Sequence, residues 1–203
     1  MNKVEYQVLN FGPFLMKTKL PKYIQKKLLV EGKKELKLHN NNLAGHLKDQ
    51  YVYKKETMMW FYEETRTIWD TYRNGHCDFH NIKQSNLELN AHDLWINFMK
   101  PGDFNPSHVH FGDFSFVIFL EIPKDLKKEQ EEYEGVGSLP GSLNFEFTQA
   151  ARPKWATTAV EVQPEIGNMY IFPAMLRHWV CSFKSKGTRT SVSGNLSKIN
   201  DCF

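Results

Sequence analysis

Three histidines and one arginine stand in two short passages of the chain, at spacings that suit a metal site. The first passage, GDFNPSHVH, ends in His108 and His110, and the second, GNMYIFPAMLRHWVCSFKSKGTRTS, contains His178 and Arg189. Imidazole is a common ligand of zinc, iron, copper and nickel. Because His108 and His110 are two residues apart, an extended backbone would direct both imidazoles to the same face of a strand. The pair therefore predicts a shared cation.

His178 is the candidate for a third ligand. It opens an apolar segment, HWVCSF, after the tight connection that begins at Pro173. In a barrel of antiparallel strands, the start of a strand can lie against a pair of residues that is distant in sequence. The remaining histidines lack such a context, and we expect them to be surface or core residues: His39, His46, His76, His80 and His92.

Arg189 and Ser191 lie two residues apart, so on a strand they share one face. A buried guanidinium without a partner costs several kcal/mol unless it meets an anion. A carboxylate that accepts two hydrogen bonds is its natural partner, and a serine hydroxyl can complete the clamp. An internal ion pair with Glu146 or Glu161 is the structural alternative. Next to three imidazoles, a bound dicarboxylic acid explains the arginine better.

The second half of the chain is predicted to be a β core that positions these residues. From Leu87 onward, short apolar segments alternate with turn residues, as expected of a sandwich or barrel. Between Lys124 and Gly141 the chain inserts a charged segment followed by one rich in glycine, which predicts either a lid over a site or an exposed connection. The predicted strands are LWINFM, FSFVIFLEI, SLNFEF, the stretch around Val160, MYIF, HWVCSF and RTSVSGNLS.

The first half is predicted to be mainly helical. The alternation in VEYQVLN predicts one strand, and a first helix follows Pro21 and weakens or ends at Gly32. A longer helix is predicted from Val52 to Arg73, with a stop signal at Asn74-Gly75. Its broad apolar stripe predicts a layer that braces a sheet, formed by Met58, Phe61, Tyr62, Ile68, Trp69 and Tyr72.

Composition predicts a globular protein and excludes several other classes. The chain has 203 residues, of which 41% are hydrophobic and 14% aromatic, which is more than a disordered segment carries. It has no apolar stretch of membrane-spanning length, no secretory signal pattern and no CxxC pair among its three cysteines. A cytoplasmic location with reduced thiols is therefore expected. The net charge of +3 is small, so neither a nucleic-acid partner nor a membrane partner is expected.

The order of these motifs, H-x-H, then G-x5-P-x4-H, then R-x-S, closely resembles the 2-oxoglutarate and iron(II)-dependent oxygenases. More narrowly, WINFMKPGDFNPSHVHFG resembles a partly phage and marine bacterial group with the stretch W-x-N-x4-G-x5-H-x-H. The resemblance is strong from Leu94 to Leu196. It implies an α+β, mainly β fold: a double-stranded β-helix, or jelly roll, with N-terminal helices packed on one sheet. It also implies a single oxygenase domain over 1–203, with a strand and bracing helices in 1–85 and the jelly-roll core in 86–203.

The resemblance also implies roles for individual residues. His108 and His178 would bind Fe(II), and Arg189 would pair with the distal carboxylate of 2-oxoglutarate. Ser191 would hydrogen-bond that carboxylate, and Asn97, the asparagine of the W-x-N stretch, is assigned to the same cosubstrate site. Such enzymes use dioxygen, release succinate and CO2, and usually hydroxylate. The implied substrate is a small molecule or a peptidyl residue such as proline.

One departure from the family pattern concerns the metal ligands. The usual triad is two histidines and one carboxylate, yet His110 stands where the pattern expects Asp or Glu. His110 is a third imidazole ligand, or Asp113 reaches the metal through the flexible Gly112, or two side chains hold the metal alone. The first hypothesis is favoured because Asp113 lies an odd number of residues from His110. A missing carboxylate leaves a position for a halide, so halogenation is an alternative to hydroxylation.

Two other classes of protein compete with the oxygenase. A cupin shares the jelly-roll architecture and part of both histidine motifs. It would need a glutamate after His110, where Phe114 and Ser115 stand, and it has no role for Arg189 with Ser191. The other alternative is a non-catalytic jelly-roll module that binds a partner, because a fold does not fix an activity.

Overall fold

Two antiparallel sheets and four helices make up the part of the chain that the computed structural model describes, which comprises residues 12–34, 37–38, 47, 49–83, 89–147 and 158–198. The helices are α1 (Lys22–Gly32), α2 (Lys55–Glu64), α3 (Arg66–His80) and α4 (Leu126–Glu131). The strands are β1 (Met16–Lys19), β2 (Lys37–Leu38), β3 (Gln50–Val52), β4 (Leu89–Met99), β5 (Asn105–His108), β6 (Phe114–Glu121), β7 (Leu143–Glu146), β8 (Ala159–Val162), β9 (Asn168–Pro173), β10 (Arg177–Val180) and β11 (Arg189–Lys198).

The sheet topology is that of a jelly roll. The major sheet has seven strands in the order β1-β9-β6-β11-β4-β3-β2, and the minor sheet has four in the order β5-β10-β7-β8. Every strand pair in both sheets is antiparallel. The predicted mainly β, double-stranded β-helix fold is therefore confirmed. None of the described helices is both long and apolar enough to cross a membrane.

Helices α1, α2 and α3 pack on one face of the major sheet. Phe61 of α2 stacks on Phe116 of β6 with ring centroids 5.5 Å apart, and Trp69 of α3 lies 5.2 Å from the same ring. Tyr72 contacts Phe114, two residues before Phe116 on β6. Phe61, Trp69 and Tyr72 are all buried. The aromatic stripe predicted from the sequence is thus the layer that braces the sheet.

The opposite face of the major sheet packs on the minor sheet. Val117 and Phe119 of β6 form a cluster with Leu143 and Phe145 of β7. Successive side chains of a strand point to opposite faces, so the residues of β6 contact the helices and the minor sheet alternately. This double burial explains why β6 is a continuous apolar run rather than an alternating one.

The helix predicted from Val52 to Arg73 is two helices in the structure. Val52 belongs to β3, and the helical segment is interrupted at Thr65 between α2 and α3. The Thr65 hydroxyl donates to the carbonyl of Phe61 at 2.6 Å and accepts from the indole N–H of Trp69 at 2.8 Å. A buried threonine that bonds to the preceding turn bends a helix without any proline or glycine signal, so the interruption was not predicted.

The stop signal predicted at Asn74-Gly75 is wrong. Helix α3 continues through both residues and ends at Asn81, which adopts the left-handed conformation with φ 54°. Gly75 instead permits close packing, because a Cβ at this position would lie 2.8 Å from Cζ of Phe14.

The other predicted elements agree with the structure where it describes them. The first helix is α1, and each predicted strand after Leu87 has its counterpart among β4 and β6–β11. The strand predicted in VEYQVLN and the loop His39–Asn42 lie outside the described residues. Strands β1, β2, β3 and β5 were not predicted.

The segment from Lys124 to Gly141 is anchored at both ends. Leu126 of α4 is buried in a cluster with Met99 and Phe183, and Gly141 donates its N–H to the carbonyl of Ser182. Between these anchors, Val136 is fully exposed. The anchored ends make this segment part of the wall of the barrel, whereas its action as a lid stays a prediction.

The central role of Phe61 leads to a prediction about stability. Phe61→Ala removes a fully buried ring from the contact between α2 and β6, and we expect the free energy of unfolding to fall by about 3–5 kcal/mol. Met59→Ala on the same helix is the control, because Met59 is 59% exposed and its loss should change stability by no more than about 0.5 kcal/mol. Urea unfolding of both variants measures the difference, and equal midpoints would contradict the packing described here.

Candidate metal and cosubstrate site

Three imidazoles from two segments meet at one end of the minor sheet. His108 ends β5 and lies directly opposite His178 of β10 in the strand pairing. His110 follows β5, where its backbone N–H donates to the carbonyl of Ala174 at 2.8 Å. The ring centroids of His108 and His178 are 4.3 Å apart, and that of His110 lies 4.9 Å from each. One nitrogen of each ring lies within 4.8 Å of the others, close enough for a single cation.

Backbone carbonyls orient two of these rings. Nδ1 of His108 lies 2.7 Å from the carbonyl oxygen of Pro106, and Nδ1 of His178 lies 2.8 Å from that of Leu176. A carbonyl only accepts hydrogen bonds, so in each ring Nδ1 carries the proton and Nε2 keeps a free lone pair. Metal-binding histidines commonly donate their other ring N–H in this way, which fixes the orientation of the ring.

Burial keeps the three imidazoles neutral. It lowers the pKa of His110 to about 3, with smaller contributions from the nearby rings of His178 and His108. It lowers the pKa of His178 to about 4, with a further contribution from His108, and it lowers the pKa of His108 despite the opposing hydrogen bond to Pro106. Neutral imidazole is the form that binds a metal. The cluster is therefore suited to hold a cation at neutral pH without first losing protons.

Asp113 does not join this cluster. Its side chain is exposed, and its carboxylate accepts a hydrogen bond from the backbone N–H of Lys198 at 2.7 Å. Its own backbone is bonded to Leu196 and Ala174. The only group of potential His, Cys, Asp or Glu metal ligands among the described residues consists of the three histidines. The geometry therefore brings His110, and not Asp113, to the two other imidazoles.

Arg189 lies at the start of β11, inside the barrel. Only 2% of the residue is exposed, and none of the ion pairs among the described residues involves it. Its Nε donates to the carbonyl of Gly141 at 3.1 Å, and its guanidinium lies over the ring of Phe119. Another nitrogen of the guanidinium, Nη2, is buried and has no hydrogen-bond partner. Burial lowers the pKa of Arg189 to about 10, so it still carries a positive charge at pH 7.

Glu146 and Glu161 do not neutralise Arg189. Glu161 accepts hydrogen bonds from the N–H of Leu139 and from the amide of Gln163 instead, and neither glutamate forms one of the described ion pairs with this arginine. A buried charge without a partner is costly. Arg189 therefore has the properties of a site for an external anion.

A row of polar side chains runs beside the arginine. Ser191 lies opposite Asn97 in the pairing of β11 with β4, and Gln50 lies opposite Asn97 in the pairing of β3 with β4. The amide of Gln50 donates to Asn97 Oδ1 at 2.6 Å, and Asn97 Nδ2 lies 3.4 Å from Ser191 Oγ. All three side chains are buried. They give the interior of the barrel a polar strip next to a positive charge.

A single cavity between the two sheets connects the histidine cluster with Arg189. All six residues that were predicted from the sequence to bind the metal or the cosubstrate border this cavity. Its polar lining consists of His108, His110, His178, Arg189, Ser191, Asn97, Gln50, Asn105 and Ser193. Apolar walls are formed by Trp95, Met99, Val117, Leu143, Phe172 and Val180.

Sequence reasoning missed two residues that line this cavity, Gln50 and Asn105, and one that contacts its arginine, Gly141. Gln50 comes from a short strand that no periodicity indicated, and Gly141 acts through its backbone carbonyl. Asn105 lies inside the quoted passage GDFNPSHVH, where its amide was a possible signal. The residues that were predicted from the motifs all line the cavity.

Comparison with known proteins identifies the class of protein that this fold and site define. A sequence model of the 2OG-Fe(II) oxygenases matches residues 93–195, which is more than half of the chain and contains all four predicted catalytic residues. The chain belongs to the 2OG-Fe(II) oxygenase family. The match excludes the cupin alternative, while the narrower phage and marine bacterial group stays a prediction. A search of curated protein sequences found no match.

Solved structures with the same fold include several prolyl hydroxylases. A prolyl-4-hydroxylase from Pseudomonas putida is similar with a TM-score of 0.55 at 14% identity, over 92% of this chain and 93% of that one. The viral collagen prolyl hydroxylase of Paramecium bursaria Chlorella virus-1, solved as a 2OG complex, has a TM-score of 0.56 at 15% identity, over 90% and 94% of the two chains. A Trichoplax adhaerens prolyl hydroxylase bound to a hypoxia inducible factor peptide fragment has a TM-score of 0.55 at 10% identity, over 92% and 83%. At such identities the similarity establishes the fold.

Proposed function

We propose that this protein is an Fe(II)- and 2-oxoglutarate-dependent dioxygenase that hydroxylates a small molecule or a peptidyl residue such as proline. The observation that carries the proposal is the single cavity that joins three neutral imidazoles to a buried guanidinium without an anion. A cluster of three histidines alone would be compatible with many kinds of metalloprotein. The unpaired cation at the other end of the same cavity requires a ligand with its own negative charge, and a metal-chelating dicarboxylate satisfies both ends.

The residues fit this cofactor and cosubstrate. His108 and His178 would hold Fe(II) through the nitrogens that their backbone hydrogen bonds leave free, and His110 would supply the third imidazole. Arg189 would bind the distal carboxylate through Nη2, and the Ser191 hydroxyl, held beside Asn97, would donate to the same carboxylate. Fe(II) with 2-oxoglutarate and dioxygen supplies the oxidation, in which the cosubstrate becomes succinate and CO2 while one oxygen atom enters a C–H bond of the substrate.

The protein's own contribution is to bind, orient and exclude water. Phe119 under the guanidinium and Met99 beside it leave Arg189 only 2% exposed, so water would screen its attraction for a carboxylate only weakly. Trp95 packs on His110, and Phe172 packs on His178, which holds these rings in place. Ligands held in fixed orientations in a buried cavity would position the reacting groups before the substrate arrives.

Exposed apolar side chains next in sequence to the site residues support an uncharged or peptidyl substrate. Phe111, which directly follows His110, is 78% exposed, and Val109 between the two histidines is 40% exposed. Met175 is 71% exposed and lies between Ala174 and Leu176, whose carbonyls bind His110 and His178. Exposed apolar side chains of this kind are candidates for contact with a partner or substrate.

The chain is further proposed to be one domain, with residues 1–85 bracing the core formed by 86–203. Pairing of β1 with β9 supports this proposal, as does the packing of α2 and α3 on β6.

The proposal predicts a visible chelate and its product. When purified protein is mixed anaerobically with Fe(II) and 2-oxoglutarate, we expect a visible charge-transfer band, and after admission of oxygen we expect succinate above the level of a metal-free control. Succinate formed without added substrate reports uncoupled turnover, so the substrate need not be known. If neither the band nor succinate forms, the non-catalytic binding module is the better assignment.

A further inference from the structure

Asn105 lines the same cavity as the histidine cluster and Arg189. It lies opposite Val180 of β10, while His108 lies opposite His178 two residues earlier on that strand. Moving along β10 from His178 to Val180 therefore leads away from the imidazoles.

The same direction leads to the arginine. Shortly after Val180, the carbonyl of Ser182 accepts the N–H of Gly141, and the carbonyl of Gly141 accepts Nε of Arg189. Asn105 and Val180 both line the cavity together with Arg189. The carboxamide of Asn105 thus lies on the side of the metal cluster where a bound dicarboxylate would extend.

The contacts of the Asn105 carboxamide are incomplete. Its Nδ2 lies 3.5 Å from Nε2 of His108, and its Oδ1 is buried without any hydrogen-bond partner. Because Nδ1 of His108 is bonded to the carbonyl of Pro106, Nε2 holds the lone pair and Asn105 is the donor in this contact.

Metal binding and this contact exclude each other. An imidazole nitrogen without a proton has one lone pair, and a metal bound to His108 takes it. The N–H of Asn105 then loses its acceptor while it still faces the coordination shell. Neighbouring ligand atoms around a metal with bonds of about 2.1 Å are roughly 3 Å apart, so an oxygen bound next to His108 would lie within reach of this donor.

We propose that Asn105 binds the 2-oxo acid end of the cosubstrate, donating its carboxamide N–H to an oxygen that is coordinated to the metal. This inference rests on the proposed function. At neutral pH a 2-oxo carboxylate offers only acceptors, which match an N–H donor. Arg189 would hold the distal carboxylate, so the two ends of 2-oxoglutarate would be recognised by different residues.

Two cosubstrates separate the roles of the two residues. Pyruvate carries the 2-oxo acid group but lacks the distal carboxylate. Anaerobic titrations of the Fe(II)-loaded protein with 2-oxoglutarate and with pyruvate, followed by the visible chelate band, give both dissociation constants. The variants are Asn105→Ala, Asn105→Asp and Arg189→Met, and the control is Asn90→Ala, since Asn90 is exposed on β4. Fe(II) affinity is measured for each protein without any 2-oxo acid.

For Asn105→Ala we expect both 2-oxo acids to bind at least about ten-fold more weakly, which is the effect of losing a hydrogen bond to a charged group. The affinity for Fe(II) should stay within about two-fold of the parent value. Asn105→Asp keeps the shape of the side chain and should weaken both acids further, because it places a carboxylate next to the bound one. Arg189→Met should weaken 2-oxoglutarate alone, and Asn90→Ala should change nothing.

Three results would overturn the inference. Unchanged affinity of Asn105→Asp for both acids would remove Asn105 from the cosubstrate site. A loss of Fe(II) affinity in Asn105→Ala, with tighter Fe(II) binding in Asn105→Asp, would make the carboxamide oxygen a metal ligand instead. If the unmodified protein binds Fe(II) but forms no chelate band with either acid, the proposed function itself fails, which distinguishes that outcome from the other two.

Discussion

Replacing Arg189 with alanine is expected to abolish 2-oxoglutarate-dependent turnover while leaving Fe(II) affinity nearly intact. Truncating one partner of a buried, hydrogen-bonded charge pair costs about 2–5 kcal/mol, or roughly 30-fold or more in affinity. The guanidinium has no anion of its own in the described structure, so the bound carboxylate would lose its only cationic partner. Titration of the chelate band with 2-oxoglutarate, together with succinate formation, measures the effect.

Arg189→Met serves as the folding control for this experiment. It keeps an unbranched side chain, two atoms shorter than that of arginine, and removes a buried charge, a change that is often neutral or stabilising in proteins. We therefore expect its free energy of unfolding to equal or exceed that of the parent, although its affinity for 2-oxoglutarate falls. Arg66→Ala at the exposed start of α3 is the matched arginine control. Should Arg189→Ala and Arg189→Met bind the cosubstrate as tightly as the parent, Arg189 lies outside the site.

Removal of His178 or His110 is expected to reduce Fe(II) affinity by at least about 100-fold. Substituting even the outer partners of metal ligands costs 10–100-fold in affinity, and a direct ligand should cost more. Asp113→Ala should have no effect on Fe(II) binding, because its carboxylate is bonded to the backbone of Lys198. Anaerobic Fe(II) titrations of His110→Ala, His178→Ala and Asp113→Ala compare the three positions directly.

The exposed His92 provides a control for this series. Its ring pairs with the hydroxyl of Ser197, away from the cluster, so His92→Ala should bind Fe(II) like the parent. If Asp113→Ala alone weakens binding, the assignment of a third imidazole ligand is wrong, and a rearrangement through Gly112 must bring the carboxylate to the metal.

Most of the β core was predictable because each strand carries its own local signal. β6 is a continuous apolar run, and turn residues separate the strands after it, so strand positions follow from the hydrophobic pattern. Strand β5 has no such pattern. Its four residues, Asn105 to His108, are only partly buried, and they become a strand because they pair with β10.

Helix boundaries were less predictable because the decisive contacts are distant in sequence. Asn74-Gly75 has the composition of a helix stop, but Phe14, some sixty residues earlier in the chain, packs against Gly75, and the helix continues. At Thr65 the interruption depends on a hydroxyl that bonds to Phe61 and Trp69. Neither arrangement can be read from local propensity.

The candidate site was predictable where a residue type, in its sequence context, rarely has a purely structural role. Imidazoles two residues apart and an arginine inside a β core limit the possibilities, and the structure brings His108, His110, His178 and Arg189 to one cavity. Amides are different, because Gln50 and Asn105 are of types that also serve as turn or surface residues. Only their position against the cavity distinguishes them.

The hydrogen bond from Arg189 to Gly141 has a consequence for mutational scanning. Because the acceptor is a main-chain oxygen, a substitution cannot remove it, but a replacement of Gly141 would act on it indirectly: Gly141 has φ 69° and a Cβ there would lie 3.0 Å from the side chain of Leu126, so the backbone would have to shift. Changes in chain length act on the same carbonyl. Shortening the exposed tip around Val136 should be tolerated, whereas a one-residue deletion next to Gly141 would shift the carbonyl away from the guanidinium and free it to rotate.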